Sequence, residues 1–150
     1  MKLKLISGEK HTDIVASCCW TSDNTLYSMS DDKTILTWDY NGEFISKFID
    51  LESYCTSCEW SNMSKMGGEL LAIGSAEGSL LLVSKSGKIE KRVENAHSTA
   101  VICIKWNSDG QAIAAFIIFL LPRFYSINFL FLFIILFTSI INISILLVLF

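Results

Sequence analysis

Three side chains of this 150-residue chain invite a catalytic reading: His11, Ser28 and Asp32. A histidine can take the proton of a serine hydroxyl while a carboxylate holds the imidazole in the right tautomer. That chemistry also needs the serine on an exposed, sharply turned elbow beside backbone N–H donors. Ser28 lies instead inside Thr25-Leu26-Tyr27-Ser28-Met29-Ser30, a run of strand-forming residues, and Gly-x-Ser-x-Gly occurs nowhere in the chain. Cys55-x-x-Cys58 is a second candidate, as half of a zinc site or as a redox pair. Zinc needs two further ligands at sensible spacing, and the nearest, His97 and Cys103, lie far downstream. No glycine-rich phosphate loop is present, and no carboxylates pair outside turn-forming stretches. The expectation is a protein that is not an enzyme, with no cofactor, metal or small-molecule substrate.

Charge narrows the partners. Residues 1–115 hold 26 of the 27 charged side chains, 15 acidic and 11 basic, with no basic run or patch. That distribution argues against a nucleic-acid partner. The five cysteines, at 18, 19, 55, 58 and 103, are odd in number, and no secretory signal precedes them. Free thiols in a reducing compartment follow.

The elements that carry these residues repeat. Placing His11 over His97, an offset of 86, brings Trp20 onto Trp106, Val15 onto Val101 and Leu26 onto Ala112. An intermediate copy puts Trp60 over Trp20, Cys58 over Cys18 and Cys55 over Val15 at an offset of 40. The offset then becomes 45, setting Ser75 over Ser30, Glu77 over Asp32 and Leu80 over Ile35, so five extra residues fit within Ser61–Glu69. This alignment places Cys55 and Cys58 in the first strand of their copy, as core residues. Each copy predicts four short strands, at 14–20, 25–30, 34–39 and 43–49, then 54–60, 70–75, 79–84 and 88–93, then 101–106 and the start of 111–116. Asp31-Asp32-Lys33, Asn41-Gly42 and Ser86-Gly87 supply the turns, with Asn41-Gly42 expected as a type I′ hairpin. Four antiparallel strands recurring every 40-odd residues are the blades of a β-propeller. Lys2–Ile6 could add an outer strand.

The run Ser28-Met29-Ser30-Asp31-Asp32-Lys33-Thr34-Ile35-Leu36-Thr37-Trp38-Asp39 resembles the WD40-repeat family, down to its Trp-Asp pair. The resemblance implies a buried structural tetrad of His11, Ser28, Asp32 and Trp38. The second copy has Leu51, Ile73, Glu77 and Val83 in those places, and the third keeps His97. Trp20, Trp60 and Trp106 mark the repeats. Within the family, Ser84-Lys85-Ser86-Gly87-Lys88-Ile89-Glu90-Lys91-Arg92-Val93-Glu94-Asn95-Ala96-His97 is similar to the WD40 subunits of the intraflagellar transport machinery. Trp20-Thr21, Leu26–Asp32, Ala100-Val101, Trp106-Asn107 and the opening Lys2-Leu3-Lys4 continue that likeness. It implies a protein-binding scaffold in cilium assembly, in cilium and cytoplasm, with other subunits of intraflagellar transport complex B as partners. The alternatives are a WD40 adaptor of another complex, or a small tail-anchored membrane protein with a cytosolic β domain.

The fold class expected is all-β: a partial WD40 β-propeller of about two and a half blades over 1–115, a fragment, followed by an apolar tail over 116–150. Of those last 35 residues, 25 are Phe, Ile or Leu and Arg123 alone is charged. Residues 127–150 would span about 36 Å as a helix, enough to cross a hydrocarbon core. A translated non-coding extension is the preferred reading, a membrane anchor the next, and buried strands of the interrupted blade the last.

Overall fold

The computed structural model describes residues 10–61, 68–108, 110 and 112–117, together with the backbone of residues 145–149. The first sheet holds β1 (Val15–Trp20), β2 (Leu26–Ser30), β3 (Thr34–Trp38) and β4 (Phe44–Asp50), in that order and antiparallel throughout. The second repeats it with β5 (Cys55–Trp60), β6 (Leu70–Ser75), β7 (Leu80–Ser84) and β8 (Ile89–Val93). The third holds β9 (Cys103–Trp106) and β10 (Ala112–Phe116), with β11 (Ile145–Leu149) against the far edge of β10. The expected Lys2–Ile6 strand and residues 62–67 of the expected insertion lie outside the described residues.

One turn device builds the hairpins. In 21–25, 30–34, 39–43, 75–79 and 84–88 the first residue accepts the N–H of the fourth, and the fourth has positive φ: Asn24, Lys33, Gly42, Gly78 and Gly87. This is a type I turn closed by a left-handed residue, the three-residue hairpin loop. It corrects the type I′ expectation at Asn41-Gly42, where Gly42 alone has positive φ. The Asp39 carboxylate accepts the N–H groups of Asn41 and Glu43, a local clamp that selects this turn.

The sheets succeed one another through their first strands, β1 against β5 and β5 against β9. Between sheets one and two, Tyr27, Met29 and Ile35 bury against Cys55, Cys58, Trp60, Leu71, Ile73 and Val83. Tyr27 meets the edges of Trp60 and Phe48 at centroid distances of 4.9 and 5.0 Å. Between sheets two and three, Ala72, Leu80 and Leu82 bury against Val101, Ile104, Ile113 and Ala115. Gly74 permits that approach: a Cβ there would lie 2.7 Å from Val101 Cγ1. Successive four-stranded sheets meeting face to face around their first strands are propeller blades, and the fold is all-β with about two and a half of them.

Register revises one alignment. Trp20 pairs with Leu26 and Trp106 with Ile113, so Ile113 takes the place of Leu26, not Ala112. The turn in the third blade is one residue longer, with the Asn107 N–H reaching the Ala112 carbonyl where Thr21 N–H reaches that of Thr25.

The third strand of the third blade comes from the apolar tail. Met29 pairs with Ile35, Gly74 with Leu80 and Phe116 with Ile145. At the other end Leu26 pairs with Trp38, Leu71 with Val83 and Ile113 with Val148. Ile145–Val148 thus occupies the register of Ile35–Trp38. These last residues are extended, so a helix over 127–150 does not include them; the rest of that expected span lies outside the described residues. Among the described residues no helix is long and apolar enough to cross a membrane.

Candidate functional site

The polar residues of blade one converge where the chain enters β1. His11 Nε2 lies 2.8 Å from Ser28 Oγ, and Trp38 Nε1–H donates to the same oxygen at 2.7 Å. The Asp32 carboxylate beside Nδ1 can only accept, so Nδ1 carries a proton, and in that tautomer Nε2 accepts from the Ser28 hydroxyl while the same oxygen accepts the indole N–H. That Nδ1–H donates to Asp32 Oδ2 at 2.9 Å. Asp32 also accepts the N–H groups of Thr12 and Thr34, and the Thr34 hydroxyl at 2.6 Å. Burial alone would raise the Asp32 carboxyl, but Thr34, Thr12 and His11 outweigh it and hold it well below the usual carboxylate range. The sequence reading missed Thr12 and Thr34. An Asp two residues before a Thr in a tight turn is the signal that could have found the second.

Ser28 is buried, on the middle of β2, with its lone pairs and proton committed to Trp38 and His11. Acyl transfer needs its serine on an exposed elbow, and this arrangement instead braces strands from within the sheet.

The equivalent positions in the other blades separate. In blade two Leu51, Ile73 and Val83 are apolar, and Glu77 lines a shallow polar groove with Glu52, Ser75, Ser79, Arg92 and Glu94. Arg92 pairs there with Glu52 at 2.6 Å. In blade three His97 is buried and its Nε2 has no hydrogen-bond partner among the described residues. By register Ala115 stands where Ser28 stands, so the hydroxyl that would meet this nitrogen is missing. Burial pushes His97 below the ordinary histidine range, against a backbone hydrogen bond at Ala115.

Cys55 and Cys58 sit in the core between blades one and two, with neither His97 nor Cys103 beside them. Among the described residues no group of His, Cys, Asp and Glu is placed to hold a metal ion. Serines on the first strands tie the blades together: Ser17 Oγ accepts the Cys58 N–H at 3.2 Å, and Ser57 Oγ accepts the Ile104 N–H at 3.1 Å. This repeated device was also missed; Ser17 and Ser57 are equivalent at the offset of 40 that aligns the tryptophans.

Two of the three marker tryptophans lean on the preceding blade. Trp60, 3 % exposed, packs on Tyr27 of blade one, and Trp106 donates its indole N–H to the Glu59 carbonyl of blade two. Trp20 has no described blade before it and is 53 % exposed; beside it Val15 is 50 % exposed where its counterpart Cys55 is 1 %. Blade one therefore presents an open apolar face, the kind of surface proteins bind.

The WD domain, G-beta repeat family matches residues 3–39, the segment that carries the whole tetrad. The chain carries a WD40 repeat at residues 3–39. It is 32 % identical over 120 residues to the intraflagellar transport protein 80 homologs of Rattus norvegicus and of Mus musculus, an alignment covering 75 % of this chain. The chain spans about 15 % of the length of those relatives. Among solved structures, the computationally designed Ika4 protein superimposes with a TM-score of 0.58 over 77 % of this chain and 68 % of its own, at 19 % identity. That likeness is one of fold.

Proposed function

We propose that this WD40-repeat chain is a non-enzymatic protein-binding scaffold of the intraflagellar transport machinery, acting in cilium assembly through contacts with other complex B subunits. The observation that carries the reading is the 120-residue similarity to the two intraflagellar transport protein 80 homologs. At 120 residues it is far longer than one generic repeat of 40-odd residues. The inward commitment of His11, Ser28, Asp32 and Trp38 supports a structural role for the tetrad, leaving loops and open blade faces to do the binding. In this reading the propeller portion is residues 1–115, with Ile145–Leu149 returning from the 116–150 segment to pair with β10. The place of action is the cilium and the cytoplasm.

The test is affinity purification of the endogenously tagged product from ciliated cells, with cilium length scored after disruption of the locus. Complex B subunits should co-purify and cilia should shorten or vanish. Normal cilia, with complex B absent from the eluate, would refute the reading. Recovery of a different complex would favour the WD40 adaptor alternative, and retention in carbonate-washed membranes the tail-anchored one.

A further inference from the structure

Cys19 on β1 and Cys58 on β5 face each other across the junction of blades one and two, with their sulfurs 3.3 Å apart. Both are free thiols. The Ser17 hydroxyl lies 3.2 Å from the Cys58 sulfur while its oxygen accepts the Cys58 N–H, so its own proton is available to that sulfur. Cys58 is the sulfur with two hydrogen-bonding neighbours, the Cys19 thiol and the Ser17 hydroxyl, either of which can donate to its thiolate; these contacts lower Cys58 against burial, while Cys19 is raised by its contact with Cys58 and by burial. The other thiols are differently placed. Cys55 is buried with its sulfur against Met29, Cys18 is exposed, and Cys103 lies on blade three. At the next blade junction the counterparts of Cys19 and Cys58 are Glu59 and Ile104, so this arrangement occurs once among the described residues.

The geometry points to Cys19 and Cys58 as an oxidative modification site, where hydrogen peroxide joins the first strands of blades one and two by a disulfide. The Cys58 thiolate attacks one peroxide oxygen; the O–O bond breaks, and the departing hydroxide takes up the thiol proton as water. Cys58 is then a sulfenic acid. The Cys19 sulfur attacks the Cys58 sulfur, the S–O bond breaks, and hydroxide leaves with the Cys19 proton as a second water. Two thiols lose two electrons, peroxide gains them, and the products are one disulfide and two waters. Closing the bond brings the sulfurs from 3.3 Å to about 2.05 Å. The product fixes the two blades to each other at their innermost strands, where their relative tilt is set.

Peroxide treatment of the full chain, alkylation and tryptic mapping test this. Cys19 falls in the peptide of residues 11–33 and Cys58 in that of 48–65. The expected result is a cross-linked pair of these peptides, about 2 Da lighter than their sum and separated by reductant. The cross-link should survive in Cys18→Ser and Cys55→Ser and be lost in Cys19→Ser and Cys58→Ser. In urea the pairing should spread over all five cysteines. Fragment spectra of the untouched sequence assign the linked sulfurs without relying on any variant's folding. Singly oxidised cysteines with no cross-linked pair, a bond to Cys18 instead of Cys19, or the same selectivity in urea would each overturn the assignment.

Discussion

Ser28→Ala removes one oxygen and strands two partners. Trp38 Nε1–H loses its acceptor at 2.7 Å and His11 Nε2 loses its donor at 2.8 Å. The His11 side chain is 4 % exposed, so water cannot replace the serine there. Trp38 is half-buried and recovers part of its loss from solvent. An orphaned buried polar group costs about 1–3 kcal/mol, so the two together should cost roughly 2–4 kcal/mol. For a domain of this size that corresponds to a fall in Tm on the order of 10 °C. Blade three supplies the reciprocal experiment, because Ala115 holds the register of Ser28 and His97 Nε2 has no partner among the described residues. Ala115→Ser adds one hydroxyl at a fully buried position and should gain about 1 kcal/mol, less any strain from the added atom. Urea unfolding followed by tryptophan fluorescence and far-UV circular dichroism measures both. If Ser28→Ala stays within about 0.5 kcal/mol of the parent chain, the hydrogen-bonded tetrad is not what braces blade one.

Acidification should destabilise the chain in two windows. As pH falls below about 6.5 the unfolded chain protonates His97 before the folded one does, and below about 4 it protonates Asp32 before the folded one does; each lowered folded pKa makes stability fall with pH. Urea midpoints against pH would show both slopes, and Asp32→Asn should flatten the lower one. Gly78→Ala should cost more than about 1 kcal/mol in a melt, since Gly78 has φ +84° and a Cβ would collide with the His97 carbonyl oxygen. Trp60→Ala should cost about 3–5 kcal/mol and Trp20→Ala about 1 kcal/mol or less, because equivalent side chains are 3 % and 53 % exposed; equal losses would mean that Trp20 is covered.

Strand positions were legible to within two residues at most ends because turn residues punctuate this chain every few positions and proline interrupts none of its first 115 residues. The tetrad came from the family resemblance, whose pattern assigns the four places; residue spacing by itself does not bring them together. What escaped the sequence has physical reasons. Residue type cannot separate a type I′ turn from a type I turn with a left-handed fourth residue when both accept Asn-Gly; the Asp39 carboxylate decides it by capping two N–H groups. The Ala112 alignment failed because one extra turn residue leaves two apolar candidates side by side, and only pairing with Trp106 chooses Ile113. Ser17 and Ser57 look like surface residues of alternating strands, and their role exists only between blades. Ile145–Leu149 could not be picked from the apolar tail, since several windows there are similar runs of Ile, Leu and Phe.

The decline of the tetrad from blade to blade follows from what covers each sheet. Blade two lies between blades one and three, and Leu71, Ile73 and Val83 on one face and Ala72, Leu80 and Leu82 on the other are all sealed. A sheet held on both faces by apolar contacts can replace His, Ser and Trp by Leu51, Ile73 and Val83 and leave no polar atom of the set buried and unpaired. Blade one has a described neighbour on one face only, and its other face carries Val15 and Trp20 half in water. That sheet gains less from burial, so bonds linking its entry segment to β2 and β3 supply order that packing does not. Blade three has the histidine without the serine, and its His97 Nε2 has no partner among the described residues. On this argument the polar tetrad and the inter-blade apolar face are alternative means to one end, and grafting blade two's apolar set onto blade one should fail unless a covering surface is supplied with it.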